Sequence, residues 1–267
     1  MSDPAVPGGV CGGGGGTELR VVPPPPPRRR RRRRRSLVVV TVVVVVVLAA
    51  VAALGTVAAR WWCSDPPRRW VDGSVHGDWI AVFDGQGQTV SDGSTTTLDP
   101  KAATEPGETH AGLVVSTAVY GDVDLSARVR TVAQSRTGSP PNPWEVGWLV
   151  WHLREADLRP GVRTGAVTST RFYYFAVKPN GWELGKVDPA EPGGQRFLAT
   201  GPRPADAGRA HDVRVRQLGA TIDVWVDTAP VVTFTDDDPQ LRGAVGLYSE
   251  DARVEFSRVR IRPADLS

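Results

Sequence analysis

Two apolar patterns divide this chain. From Leu37 to Ala59, 23 uncharged and mostly aliphatic residues run without a break, whereas beyond Gly77 apolar positions recur mainly at every second residue. The first pattern predicts a helix in lipid. At about 1.5 Å per residue it would reach ~34 Å, slightly more than the roughly 30 Å hydrocarbon layer. The valine-rich stretch Val38 to Val47 is a poor helix former in water, but a single segment in lipid can satisfy its backbone only as a helix.

The second pattern predicts strands. His211, Val213, Val215 and Gln217 alternate with Asp212, Arg214, Arg216 and Leu218, the period of a half-buried strand. Similar runs occupy Leu125 to Val132, Ile222 to Val226 and Val231 to Phe234. Turn chemistry separates them at Pro179-Asn180-Gly181, Leu218-Gly219-Ala220, Thr228-Ala229-Pro230 and Asp236 to Pro239, which predicts hairpins. Near the end the apolar phase slips from Val254 and Phe256 to Val259 and Ile261, so a bulge is expected near Ser257 and Arg258. No helical period extends beyond about two turns, and the fold class that follows is all-β, two packed antiparallel sheets.

Composition then sets the organisation. Residues 1–36 carry Gly12 to Gly16, Pro23 to Pro27 and eight consecutive arginines, Arg28 to Arg35, with almost nothing able to build a core, and read as a disordered tail. Positive charge beside a first apolar helix stays in the cytoplasm. The expected layout is therefore a cytoplasmic tail (1–36), a transmembrane helix (37–59), a linker (60–77) and an extracellular sandwich (78–263). A cleaved signal peptide competes, since Val57-Ala58-Ala59 precedes Arg60, but 23 residues exceed the usual core of about 7 to 15. The predicted location is the cell membrane, crossed once.

Charge changes one further expectation. Nine arginines against Asp3 and Glu18 give the tail +7, and the whole chain is +3, leaving −4 beyond Ser36. That sum argues against a polyanion-binding outer domain and against nucleic acid as a partner. Topology and anionic lipid account for the arginine run. Cys11 and Cys63 fall on opposite sides of the predicted membrane, so no disulfide frames the domain. Cys63 is either a free thiol or a bridge between two chains. The chain lacks Cys-x-x-Cys and His-Glu-x-x-His spacings, the strongest sequence signals for zinc.

The run Phe172-Tyr173-Tyr174-Phe175-Ala176-Val177-Lys178-Pro179-Asn180-Gly181-Trp182-Glu183-Leu184-Gly185-Lys186, with Gly243-Ala244-Val245-Gly246-Leu247-Tyr248 and Val254-Glu255-Phe256, resembles the concanavalin A-like lectin/glucanase superfamily. Within it, the similarity is to the branch called 3-keto-disaccharide hydrolase or laminin-G-like domains. The resemblance implies a jelly-roll β-sandwich, one concave sheet on which sugars lie, and sometimes a structural calcium. Glucanases of this superfamily carry a Glu-x-Asp-x-x-Glu strand. Here Trp144-Glu145-Val146-Gly147-Trp148 has one carboxylate followed by apolar residues, so that mechanism does not transfer.

Aromatics concentrate at Trp144, Trp148, Trp151, Phe172, Tyr173, Tyr174 and Trp182. A carbohydrate site is expected from Trp148, His152, Tyr173, Glu183 and Lys186, although a sandwich also needs large residues in its core. For any catalysis the candidates are Glu145, Glu183 and His152. Asp236, Asp237 and Asp238 suggest calcium, because hard cations want several oxygens, but aspartates before Pro239 are also ordinary turn formers. No other cofactor is expected. The function predicted first is carbohydrate binding by a lectin-like domain, with glycoside hydrolysis or a structural, protein-binding role as alternatives.

Overall fold

The computed structural model describes Val45, Val46, Ala49 and residues 66–154, 170–202 and 208–264. The chain divides into two compact units, Met1–Cys63 and Ser64–Ser267. In the first unit Val45, Val46 and Ala49 are helical; the remainder of the predicted anchor, the arginine run and both cysteines lie outside the described residues. Among the described residues no helix is long and apolar enough to cross a membrane.

The second unit is built from strands. In chain order these are β1 (Arg68–Trp70), β2 (Val75–His76), β3 (Trp79–Phe83), β4 (Gln88–Ser91), β5 (Thr95–Asp99) and β6 (Ala111–Tyr120). Then come β7 (Val123–Gln134), β8 (Gly147–Leu153), β9 (Phe172–Lys178), β10 (Gly181–Val187) and β11 (Gln195–Gly201). The series closes with β12 (Ala210–Leu218), β13 (Thr221–Val226), β14 (Ala229–Thr235), β15 (Gly243–Glu250) and β16 (Ala252–Pro263). They form two eight-stranded sheets. Sheet 1 runs β1-β4-β5-β16-β7-β12-β13-β14, and sheet 2 runs β11-β10-β9-β8-β15-β6-β3-β2. The sandwich thus begins with two short strands, β1 and β2, inside the segment that composition marks as linker.

Two of the four expected hairpin turns form as placed: Pro179 and Asn180 join β9 to β10, and Gly219 and Ala220 join β12 to β13. Between β13 and β14 the turn is Asp227 and Thr228, with Ala229 and Pro230 already in the strand. Asp236 to Pro239 cross from β14 in sheet 1 to β15 in sheet 2 and do not form a hairpin. The bulge in β16 also forms: the register against β7 shifts between Ser257 and Arg260, and Arg258 takes a left-handed φ of 53°. One extra residue there returns Ile261 to the inward phase after Phe256.

Between the sheets, Leu125, Val215, Val224 and Phe256 from sheet 1 meet Leu149, Trp151, Phe175 and Leu184 from sheet 2. Close approach of the sheets explains Gly147, where an added Cβ would come within 2.5 Å of Val254 Cγ1 and 2.8 Å of Val129 Cγ1. A second apolar layer covers the far side of sheet 2, with Phe83, Leu113, Val115, Trp148, Val150 and Tyr174. The inner and outer layers lie on opposite sides of the same strands, as a two-residue pleat requires.

Candidate functional site

The chemistry gathers on the outer face of sheet 2. Strand pairing sets Tyr248 on β15 opposite Trp148 on β8, Trp148 opposite Ala176 on β9, and Ala176 opposite Glu183 on β10. The neighbouring row holds Gly246, Val150, Tyr174 and Gly185. Two-residue alternation along β9 puts Phe172, Tyr174, Ala176 and Lys178 on this side and Tyr173, Phe175 and Val177 on the other. Trp148 stacks on Tyr174 with ring centroids 4.4 Å apart and tilts against Tyr248 at 5.1 Å. Gly185 makes room for this arrangement, since a Cβ there would fall 2.1 Å from the Tyr174 ring.

Two Tyr–Glu pairs flank the tryptophan. Tyr174 donates its hydroxyl to Glu183 Oε1 at 2.7 Å, while the Lys178 ammonium binds the other carboxylate oxygen and the Gln195 amide donates to the Tyr174 hydroxyl. Burial, reinforced by the Glu183 carboxylate, pushes the Tyr174 phenol well above its usual range. At the other end Tyr248 donates to Glu250 Oε2 at 3.0 Å. Glu250 is pushed up to about 7, first by burial and then by the negative charges of Asp251 and Glu145. Tyr248 and Arg136 offset this only in part. Such a carboxyl exchanges protons near neutrality, which suits acid-base work.

Behind Glu250 lies a buried charge network centred on Arg136. Its guanidinium reaches Glu145 Oε1 at 2.5 Å and Asp251 Oδ2 at 2.9 Å, and donates to the carbonyls of Glu105 and Glu108. Glu145, fully buried, therefore acts as a structural counter-ion, although its Oε2 finds no hydrogen-bond partner. Glu183 and Tyr248 stand three strand spacings apart, ~14 Å between backbones. Glu183 is held by Tyr174 and Lys178 and Glu250 by Tyr248, so each carboxylate is fixed by its own partners at one end of the aromatic row.

The residues expected to form one site separate into groups. Trp148 and Glu183 do share the outer face. Tyr173 and Lys186 turn inward instead: the Tyr173 ring stacks on Trp151 at 5.5 Å, its hydroxyl donates to Asp236, and Lys186 Nζ pairs with Asp236 Oδ2 at 3.1 Å. An open sugar platform at Tyr173 does not match this place, because the residue is fully buried between the sheets. His152, at a left-handed φ of 57°, directs both ring nitrogens at backbone carbonyls, Gln240 at 2.6 Å and Gly121 at 2.8 Å. Burial pulls its pKa down, more than these two carbonyls raise it.

The aspartates of the expected calcium site meet an ammonium instead: Asp236 and Asp238 both lie within ion-pair distance of Lys186 Nζ, at 3.1 and 3.6 Å, while Asp237 faces Arg196 at 3.6 Å. Asp236 is consumed by Tyr173 and Lys186, whereas the side chains of Asp237 and Asp238 are 83% and 89% exposed. Among the described residues no group of three or more His, Cys, Asp or Glu side chains is placed to hold a metal. Tyr174, Tyr248, Glu250, Lys178 and Gln195 escaped the sequence reading. A signal existed for Glu250, which continues the phase of Ala244, Gly246 and Tyr248 with a charge at an apolar-face position.

Fold and site together define a two-sheet, jelly-roll-like sandwich of the concanavalin A type. The sequence profile of the 3-keto-alpha-glucoside-1,2-lyase-like domain matches residues 66–262, and the chain belongs to that family. No functionally curated protein matches the sequence. Among solved structures, the chain is similar to the carbohydrate binding module CBM66 from Bacillus subtilis, at 15% identity over 75% of this chain and 97% of that one, with a TM-score of 0.47. It is also similar to a protein of unknown function with galectin-like fold from Bacillus subtilis, at 10% identity over 73% and 88%, with a TM-score of 0.46.

Proposed function

We propose that this chain is a membrane-anchored, extracytoplasmic protein that recognises carbohydrate on the outer face of sheet 2, with residues 37–59 as its anchor. The observation that carries the reading is the row Tyr248, Trp148 and Tyr174 flanked by Glu250 and Glu183. Aromatic faces take the C–H faces of a sugar ring, and carboxylates accept its hydroxyls. Membership of a family described by a glucoside reaction supports the same class of ligand. Because Trp148 is 6% exposed and Tyr174 0%, binding requires this face to open.

A second reading has its own observation. A 3-keto group acidifies the adjacent C2–H of a glucoside; when a base removes that proton, the C–H electrons form the C1–C2 double bond and the C1–O bond breaks with its electron pair. Glu250, poised near 7, has the proton affinity for that base.

Full-length protein in detergent can be screened on a glycan array and, separately, incubated with a 3-keto-α-glucoside while NMR follows a 1,2-unsaturated product. Trp148→Ala should weaken glycan binding by about 1 to 3 kcal/mol, as loss of a buried aromatic anchor does, and Glu183→Gln, which keeps the shape, should weaken it as well. Retention of no glycan and no turnover would defeat both readings. Turnover abolished by Glu250→Gln with binding retained would select elimination.

A further inference from the structure

Net charge is a sum, and the fold does not distribute it evenly. On the outer face of sheet 1 a cleft of about 470 Å³ is lined by Arg128, Arg214, Arg258 and Arg260 against a single carboxylate, Asp212. Beyond Ser36 the chain is negative overall, so this concentration is local. Strand register builds it: Arg260 lies opposite Ser126, Ser126 opposite Arg214, and Arg214 opposite Trp225. Arg260 and Arg214 therefore project from the same row, two strand spacings or ~10 Å apart. The bulge adds Arg258, whose left-handed φ of 53° accompanies the register shift that brings it to the same cleft.

The four guanidiniums differ in what they have left to offer. Arg128 pairs with Asp212 at 3.0 Å, and Arg214 lies over the Trp225 ring at 4.9 Å while gripping Asp124 with two nitrogens. Arg258 and Arg260 are exposed and have no hydrogen-bond or ion-pair partner among the described residues. A guanidinium is a planar fork of donors that matches a carboxylate in pairs. The hydroxyls of Ser126 and Thr228 line the same cleft and can meet neutral oxygens. Guanidiniums set in a recess suit a single extended chain that enters it better than the broad surface of a bilayer.

We propose that this cleft is a second binding surface, distinct from the face of sheet 2, and that its ligand is an acidic polysaccharide whose uronate carboxylates meet Arg258 and Arg260. Its failure would leave the aromatic site of sheet 2 untouched, because the two lie on different sheets.

The test compares full-length protein with its Arg258→Gln/Arg260→Gln variant in non-ionic detergent, so that the arginine tail is common to both. Probes are polygalacturonate, a neutral β-glucan of similar length, and phosphatidylserine vesicles. Polygalacturonate should bind the parent at least tenfold tighter than the variant, and the difference should shrink as salt rises. An unchanged melting temperature confirms folding, and Arg260→Glu supplies an independent variant in which the loss should be larger. Equal polygalacturonate binding by parent and variants overturns the proposal. So does a loss confined to the vesicles, which would assign the cleft to lipid, or an equal loss on the neutral glucan.

Discussion

The two sheets of this sandwich treat their outer faces in opposite ways. In sheet 1 the strand β12 alternates buried with half-buried or exposed residues along its length, whereas β8 and β10 of sheet 2 are buried at every position. Charge follows the same division. Sheet 1 pairs Arg128 with Asp212, and Arg214 with Asp124, in water; sheet 2 supplies Lys186 to Asp236 between the sheets and Lys178 to Glu183 on its covered face. An ion pair in water exchanges one set of favourable contacts for another, while a buried pair cannot lose one partner without stranding the other. The location of a pair, more than its geometry, should decide what its removal costs.

Lys186→Ala puts that contrast to its most severe test. Asp236 is a group that burial pushes up, yet bonds from the Tyr173 hydroxyl, the Asp238 N–H and the Lys186 ammonium together hold its pKa below the usual carboxylate value. Removing the ammonium should cost about 3 to 5 kcal/mol, a fall in Tm on the order of 10 °C. Replacing both partners, Lys186→Met with Asp236→Leu, should recover part of the loss and no more, because the Tyr173 hydroxyl then lacks its acceptor. A single variant that melts within a degree or two of the parent would show that water reaches this pair.

Next in size is a pH effect of opposite sign to that of Asp236. The folded pKa of Glu250, about 7, lies above its ordinary 4.5, so the fold favours the protonated form. Its contribution is fully present below about 4.5 and is lost as pH rises through about 7. At 1.36 kcal/mol per unit the bound is about 3 kcal/mol, reduced by the partial solvent access of this residue. Thermal melts of parent and Glu250→Gln should thus converge near pH 5 and separate by pH 8.5, with the variant the more stable at high pH. A gap that stays constant with pH would remove Glu250 as the titrating group. Asp236, with its lowered pKa, contributes stability that is present above the ordinary carboxylate pKa and is lost as pH falls below it.

The same division explains which parts of the molecule were legible in the sequence. Strands of sheet 1 announce themselves, since one wet face forces alternation: Val213, Val215, Val224 and Val226 are all buried and their neighbours are not. Even the bulge at Arg258 was visible as a slip of phase. Along β8 and β9, by contrast, both faces are apolar, and nothing in the residues says which of Tyr173 and Tyr174 faces the core. The sequence pattern favours Tyr173 for the open face, whereas strand register puts Tyr174 on the outer face of sheet 2 beside Trp148. Lys186 and Glu183 were equally hard to sort, because a buried ion pair inside a sandwich depends on a partner fifty residues away, Asp236. β1 and β2 were hidden for a different reason: strands of three and two residues are too short to display a period.

The smallest effect belongs to the open face, and it is the one that completes the contrast. Arg128 pairs with Asp212 at 3.0 Å, in geometry no worse than the Lys186–Asp236 pair at 3.1 Å. Its two side chains are 38% and 53% exposed, against 1% and 0% for the buried pair. Arg128→Ala should therefore cost less than about 1 kcal/mol, and a double-mutant cycle with Asp212→Ala should give a coupling energy that shrinks further as salt rises. If instead the cycle returned a coupling near that of the interior, insensitive to salt, the outer face of sheet 1 could not be open to water. The contrast between the two sheets would then fail, and with it the ground for treating the arginine cleft as an accessible surface.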